Sequence, residues 1–332
     1  MRVLVTGGLG FIGSNFIRYY LSKHEDGSVV NVDRLSYGAN PVNLSDIDSG
    51  QRYSFMEADV AKIDLRHWID KVEAVVNFAA ESHVDRSIVD PSPFLESNVQ
   101  GVLALLEAVR STGRRTRMVQ IGTDESYGDI AAGSFKETDL LKPSSPYAAT
   151  KAAADMLCLS YHRTYAVDVV MTRCTNNFGP FQFPEKFIPK TIIRALRNLP
   201  VPVYGSGRQI RDWLYVLDHC EAIDLVLRKG RAGEIYNISA GNERENLSVV
   251  QSVFEIMNRD SSLIEHVEDR PGHDARYSLD SNKARRELGW VPRYSFKKSL
   301  RDTVEWYLKN QSWWGPLVNE KVLSREPWKE KW

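Results

Sequence analysis

The sequence predicts an α/β protein in which a doubly wound parallel sheet is joined to a smaller α/β domain. Three observations carry that prediction. Short β-branched runs alternate with helix-period stretches through the first half of the chain, a glycine-rich turn joins the first of these runs to the first helix, and beyond Asn176 repeated prolines and shorter apolar runs change the texture.

Taken in order, Val3-Leu4-Val5 is the first strand and residues 11–21 continue at helical spacing. Apolar runs at 29–32, 53–56 and 74–78 read as successive strands. Phe94, Leu95, Val99, Val102, Leu103, Leu106 and Val109 then recur at the 3.6-residue period of an amphipathic helix. Residues 118–121 form the next strand, 148–165 an Ala-rich helix and 167–172 a further strand. Pro180, Pro184, Pro189, Pro200 and Pro202 interrupt the next part of the chain, before helical stretches at 217–229 and 247–258. Residues 1–175 are expected to form the larger domain, with a return segment near 207–230, and residues 176–206 with 231–332 the smaller one. Trp313, Trp314, Trp328 and Trp332 place half of the eight tryptophans in the last 20 residues, and so aromatic a tail is expected to pack on the body.

Charge narrows the function. Lys and Arg total 43, as do Asp and Glu, so the formal net charge is zero. A nucleic-acid binder or a polybasic membrane protein would carry a positive surplus, and neither partner is expected. Glycines break the apolar N-terminus and no cleavage site follows; no run approaches the roughly 18 apolar residues of a membrane helix. Cys158, Cys174 and Cys220 are too few and too dispersed for a disulfide framework or a structural metal site, so the expected setting is the reducing cytoplasm, with no metal.

Chemistry enters with Thr6-Gly7-Gly8-Leu9-Gly10-Phe11-Ile12-Gly13, directly after a strand and opening a helix. Glycines at 7, 10 and 13 let the backbone turn tightly and approach a pyrophosphate, which the helix N-terminus receives. Asp33 ends the second strand, where a carboxylate binds ribose hydroxyls and repels a 2′-phosphate. The expected cofactor is therefore NAD, on a Rossmann-type domain. Downstream, Tyr147 and Lys151 share one helical face at i, i+4, and the ammonium is expected to lower the tyrosine pKa so that the phenol takes a hydroxyl proton. Thr123 supplies a third hydroxyl. Asp124 and Glu125 follow it at the carboxyl end of a strand, where an adjacent acid pair divides the work of acid and base if its pKa values are separated.

The glycine loop with Thr…Tyr-x-x-x-Lys resembles the extended short-chain dehydrogenase/reductase superfamily. Within it, the chain resembles the dTDP-glucose 4,6-dehydratase family, through FAAESHVDRSI (78–88), TDESYGD (123–129), SPYAATKAAAD (145–155), TRCTNNFGPFQFPEKFIP (172–189), VYGSGRQIRDWLYVLDH (203–219), NERENL (242–247), DRPGHDARYSLD (269–280) and WYLKNQSWW (306–314). That resemblance implies a hydro-lyase in which Tyr147 removes the C4 hydroxyl proton of dTDP-glucose as hydride passes to NAD. Glu125 then abstracts the C5 hydrogen, Asp124 protonates the departing C6 hydroxyl, and the hydride returns to C6 as C5 is reprotonated. Thr123 polarises the C4 oxygen and Lys151 holds the nicotinamide ribose. Around the cofactor the resemblance implies Ser36, Asp59, Val60, Ala79, Ala80, Ser97 and Asn177 beside the glycine loop, with Phe11 and Ile12 in its first turn. For the nucleotide sugar it implies Ser82, Asn176, Lys186, Phe187, Asn246 and His273. Arg211 and Arg270 meet the pyrophosphate as guanidinium forks, and Pro202 and Tyr204 lie near the base.

Gly122, Ser126, Phe178 and Phe181 depart from the residues usual in that family, none of them a proposed catalytic group. A 4-epimerase would share the glycine loop and the Tyr/Lys pair but has no use for adjacent acids; a GDP-mannose 4,6-dehydratase would do the same chemistry on another nucleotide, but the C-terminal motifs favour thymidine; and a redox sensor that merely bound dinucleotide would have no need of Tyr147, Lys151, Asp124 and Glu125 together. The resemblance also implies a homodimer through the helices near 92–110 and 148–165.

Overall fold

Among the described residues of the computed structural model, which are 1–47, 50–113 and 115–331, seven strands form one parallel sheet. They are β1 (Arg2–Thr6), β2 (Ser28–Asp33), β3 (Tyr53–Glu57), β4 (Ala74–Asn77), β5 (Arg117–Thr123), β6 (Val169–Cys174) and, from late in the chain, β10 (Ile235–Ile238). Their spatial order puts Ile235–Ile238 at one edge, followed by β6, β5, β4, β1, β2 and β3. The order reverses between β1 and β4, and crevices at such reversals are where open α/β sheets bind ligands.

Side-chain alternation explains the two layers of core. Val3, Val5, Val29, Ala74 and Val76 face the helices Phe11–Lys23 and Val216–Lys229 on one side. Leu4, Val30, Val32 and Val75, one residue out of phase, face the helices Gly101–Ser111 and Pro146–Tyr165 on the other. Burying each such side chain stabilises the fold by about 1.5–3 kcal/mol. With both faces covered, the strands read as continuous apolar runs, which is why the sequence shows them so clearly.

Beyond β6, strand β7 (Asn176–Phe178) pairs with β9 (Ile210–Tyr215) and β9 with β11 (Glu243–Glu245), while β8 (Val201–Tyr204) pairs with β12 (Ile264–Val267). The return segment expected at 207–230 is thus divided: β9 lies in this small sheet, the helix Val216–Lys229 packs beside Phe11–Lys23, and the large sheet is completed only by Ile235–Ile238. Strands of three to six residues carry too little periodicity to show which sheet they join.

The long helix expected around 94–109 is interrupted. Ser92–Leu95 and Gly101–Ser111 are joined by a π-helical turn, Glu96–Gln100, which turns Ser97 and Asn98 inward. At the other end, Phe296, Leu300, Val304 and Tyr307 bury one stripe of the helix Phe296–Lys309. Trp313 donates to Asn43 Oδ1 at 2.8 Å, Trp314 to the Tyr307 carbonyl at 2.9 Å, and Trp328 is buried, so the aromatic tail does pack on the body; Trp332 lies outside the described residues. No helix among the described residues is long and apolar enough to cross a membrane.

Candidate active site

A cleft of about 290 Å³ opens at the carboxyl ends of the parallel strands, and the glycine loop forms its floor. Gly7 adopts φ +68°, and a Cβ there would stand 2.6 Å from the Ala79 amide nitrogen; a Cβ on Gly13 would stand 2.4 Å from the Gly7 carbonyl oxygen. Two glycines therefore let three backbone segments converge, and no side chain caps the helix they introduce. Asp33 Oδ2 accepts from the Leu9 amide at 3.0 Å and Oδ1 from the Leu35 amide at 2.9 Å, which aims the carboxylate across the loop. Arg34 is held between Asp59, at 3.2 Å, and Glu81, at 3.0 Å, so its charge is already matched. Phe11, Ile12, Gly10, Ser36, Asp59, Val60, Ala79, Ala80, Ser97 and Asn177 line the same cleft.

Thr123, Asp124, Glu125, Tyr147 and Lys151 line its far wall with Ser82, Asn176 and Lys186. Ser145 caps the helix that carries the tyrosine, accepting from the Ala148 amide at 3.1 Å, and Pro146 fills its first turn. Buried Ser87 accepts from the Tyr147 amide at 3.2 Å, and Thr123 works to lower the pKa of the Tyr147 hydroxyl. One turn on, Lys151 Nζ donates to the Ile121 carbonyl at 2.5 Å. The lowering of the Tyr147 pKa expected from Lys151 is not found. Burial raises the phenol well above its usual value and Glu125 adds to this, while burial also lowers the Lys151 ammonium. Desolvation exceeds the ammonium's influence because Lys151 is turned to a carbonyl rather than to the phenol.

The acid pair occupies two different environments. Asp124 is buried and pushed well above the carboxylate range by desolvation and by Glu125, and its Oδ2 has no hydrogen-bond partner among the described residues. Glu125 keeps part of its surface open to the cleft; burial raises it too, but Arg270, Arg211 and Lys186 all pull the other way. The arrangement favours a proton on Asp124 and a negative charge on Glu125. At the departure in Gly122, a Cβ would stand 2.5 Å from the Thr172 carbonyl oxygen, so close approach of β5 and β6 suits glycine there.

A second cluster adjoins this wall. Asp85 accepts from Arg270 at 2.7 Å and from the Tyr204 hydroxyl at 3.1 Å. Burial would raise the Asp85 carboxyl, yet Arg270 and His83 bring it down to about 2. Arg211 lies over the Tyr277 ring, 4.1 Å from its centre, and donates to the Ile210 and Asp274 carbonyls. His273 bonds to Asp269 at 2.6 Å, with its ring 6.1 Å from that of Tyr204. Asn246 opens the helix that runs to Met257, its amide bound to the Gln209 carbonyl. Pro202 is buried in β8, and Phe187 stacks on Trp213 at 5.8 Å; neither lines the cleft.

Other residues in and under the cleft were not singled out in the sequence. Glu185 lines it and accepts from the Tyr37 hydroxyl at 2.7 Å. Asn98, on the π-helical turn, grips the Glu81 backbone through both its amide and carbonyl and donates to Thr150. His219, wholly buried, is bonded through Nδ1 to Asn177 Oδ1 at 2.9 Å. Only the position of Glu185 beside Lys186 offers a signal; contacts spanning 17 to 52 residues leave none.

Comparison with known proteins discriminates between chemistries that share this fold. Residues 4–303 match the family model described as GDP-mannose 4,6 dehydratase. The chain is 48% identical to the dTDP-glucose 4,6-dehydratase of Streptomyces niveus over 98% of each chain. It is 43% identical to that of Escherichia coli over 100% of this chain and 98% of the relative. Among solved structures, the dTDP-glucose 4,6-dehydratase of Streptomyces venezuelae, determined with NAD bound, aligns with a TM-score of 0.92 at 45% identity, covering 96% of this chain and 100% of that one. A UDP-glucuronic acid 4-epimerase from Bacillus cereus aligns almost as well, at 0.88 over 93% of this chain and 99% of that one, but at only 26% identity. Backbone shape alone therefore does not separate dehydratase from epimerase, whereas sequence identity over the full length does: the chain belongs to the dTDP-glucose 4,6-dehydratase family.

Proposed function

We propose that this protein is an NAD-dependent hydro-lyase converting dTDP-glucose to dTDP-4-keto-6-deoxyglucose. The observation that carries the reading is the adjacent acid pair at the end of β5, Asp124 buried with an unpartnered Oδ2 and Glu125 open to the cleft, in the same wall as Thr123 and Tyr147. An epimerase has no task for such a pair.

The residues fit the cofactor. Gly7 and Gly13 form a cradle that a Cβ would fill, Asp33 is fixed by two amides to meet ribose hydroxyls, and Arg34, engaged by two carboxylates, is not available to a 2′-phosphate. When bound, NAD supplies a reversible two-electron oxidation of the sugar. Tyr147 would take the C4 hydroxyl proton as its phenolate, the form that burial opposes and that the positive ring of bound NAD would favour, while Thr123 holds the C4 oxygen. Glu125, charged beside three cations, removes the C5 proton once C4 is a ketone. Asp124, kept neutral by burial, delivers its proton to the departing C6 hydroxyl so that water leaves; the hydride taken from C4 would then return to C6 and Glu125 would hand a proton back to C5. Arg211 and Arg270 meet the diphosphate, and Asn176, whose Oδ1 has no partner among the described residues, meets a sugar hydroxyl.

Incubating the purified protein with dTDP-glucose and no added NAD tests this. The expected result is a product lighter by one water, formed by protein that carries NAD from purification. An epimeric sugar, or turnover only of a GDP- or UDP-sugar, would overturn the reading.

The same proposal includes a homodimer. Leu95, Leu103 and Met156 are large, apolar and exposed on the helical segments that cover one face of the sheet. Light scattering at micromolar concentration is expected to give twice the chain mass; a monomer would refute it.

A further inference from the structure

The chain beyond Trp314 is held down by contacts that a passive tail would not need. Val322 and Leu323 are buried in the smaller domain's core. Lys190 and Arg194, one turn apart on the helix Phe187–Leu196 and both buried, donate to consecutive carbonyls of the tail. Lys190 Nζ reaches Ser324 O at 3.1 Å, and Arg194 reaches Leu323 O. Burial lowers the Lys190 ammonium to about 8, a cost that a surface lysine would avoid. Outside this clamp, Arg325 pairs with Glu265 at 2.6 Å and Lys329 with Glu268 at 2.7 Å.

These contacts deliver one side chain to a particular place. The turn Pro327–Lys329 packs against the helix Val84–Val89, which carries Asp85, and seats the buried Trp328 edge-on to the Tyr204 ring, 4.7 Å between centres at 80°. Tyr204 in turn donates to Asp85, and Asp85 holds Arg270. Trp328 thus backs a chain of contacts ending at a guanidinium that also acts on Glu125.

We propose that Trp328 is a positioning residue for the nucleotide half of the substrate: clamped by Lys190 and Arg194, the tail presses the indole onto Tyr204, and thereby fixes Tyr204, Asp85 and Arg270 where a pyrimidine nucleoside diphosphate is received. The inference rests on the assignment of Tyr204 and Arg270 to the nucleotide. Removing the indole frees the Tyr204 ring to leave Asp85, so that the nucleotide must reorder the cluster as it binds. The tail's hydrogen bonds, ion pairs and ring contact run to Lys190, Arg194, Glu265, Glu268 and Tyr204 rather than to the acid pair or Tyr147, so binding is affected more than chemistry.

The test compares wild type with Trp328→Ala and Trp328→Phe by kinetics on dTDP-glucose and by calorimetry with dTDP. Alanine is expected to raise KM and the dTDP Kd by about tenfold or more, with a smaller change in kcat and NAD content retained, and phenylalanine to restore most of the affinity through its ring edge. If the alanine variant does not fold, Trp328→Leu keeps apolar volume without the ring edge and is expected to fall between the two. Unchanged dTDP affinity in the alanine or leucine variant would overturn the proposal. So would a joint fall in kcat, NAD content and Tm that phenylalanine does not rescue, since that marks a purely structural tail. Failure of wild type itself to bind dTDP would instead strike the functional reading beneath it.

Discussion

Replacing Glu125 by glutamine is expected to lower kcat by about 10²–10⁴-fold, the usual contribution of a positioned general base. Glutamine keeps the length of the side chain and its place at the start of the turn Asp124–Tyr127, but it cannot accept a proton from C5. Solvent deuterium should therefore cease to enter at C5, whereas oxidation at C4, which depends on Tyr147, should still reduce the bound NAD. A single-turnover experiment that follows nicotinamide absorbance alongside mass-spectrometric deuterium content separates these steps. Normal exchange with normal turnover would remove Glu125 from the role of base. Sign and environment agree: burial raises the Glu125 carboxyl, so activity should fall on the acid side from a pH above the ordinary glutamate range, as the base becomes protonated. Asp124, raised further by burial and by its neighbour, keeps its proton over the pH range in which Glu125 works. The reaction needs that separation, because a pair that ionised together would offer two bases and no acid.

How far the sequence revealed this arrangement depends on the range of the interactions involved. Strands buried on both faces announce themselves as apolar runs, and the glycine loop does so because tight turning, phosphate approach and helix seating all fall within one short local motif. Tyr147 with Lys151, and Thr123 with Asp124 and Glu125, are likewise local patterns, and all of these residues line one cleft. What stayed hidden depends on pairing across the fold. Arg34, beside Asp33, finds its role only from Asp59 and Glu81 on either side of it. A continuous apolar period over 94–109 conceals the π-helical turn that brings Asn98 under the cleft. The Tyr147 pKa went the other way from expectation because i, i+4 spacing gives proximity on a helix but says nothing of how deeply both groups are desolvated. Trp328, isolated in a stretch without periodicity, acquires meaning only from Tyr204, far earlier in the chain.

Gly7→Ala is expected to produce the largest loss of cofactor. The residue sits at φ +68°, in the left-handed region, where a side chain costs about 1–2 kcal/mol. Its new Cβ would also meet the Ala79 amide nitrogen at 2.6 Å and the Phe78 carbonyl carbon at 2.7 Å. Both are backbone atoms just beyond β4, so relief requires the β1 loop to move away from the β4 loop, and overpacking of that kind costs about 1–3 kcal/mol more. The sum is a large fraction of the roughly 5–15 kcal/mol that typically holds a domain folded. The same shift separates the glycine cradle from Ala79 and Ala80, which line the cleft opposite it. Gly133→Ala supplies the control, because Gly133 shares the left-handed conformation at φ +76° but has nothing within 4 Å of its would-be Cβ. Its loss should stop at the conformational cost, with NAD retained. Urea unfolding together with the nicotinamide content of the purified proteins measures both effects, and equal losses in the two variants with NAD still bound to Gly7→Ala would mean that the loop does not need this close approach to hold its cofactor.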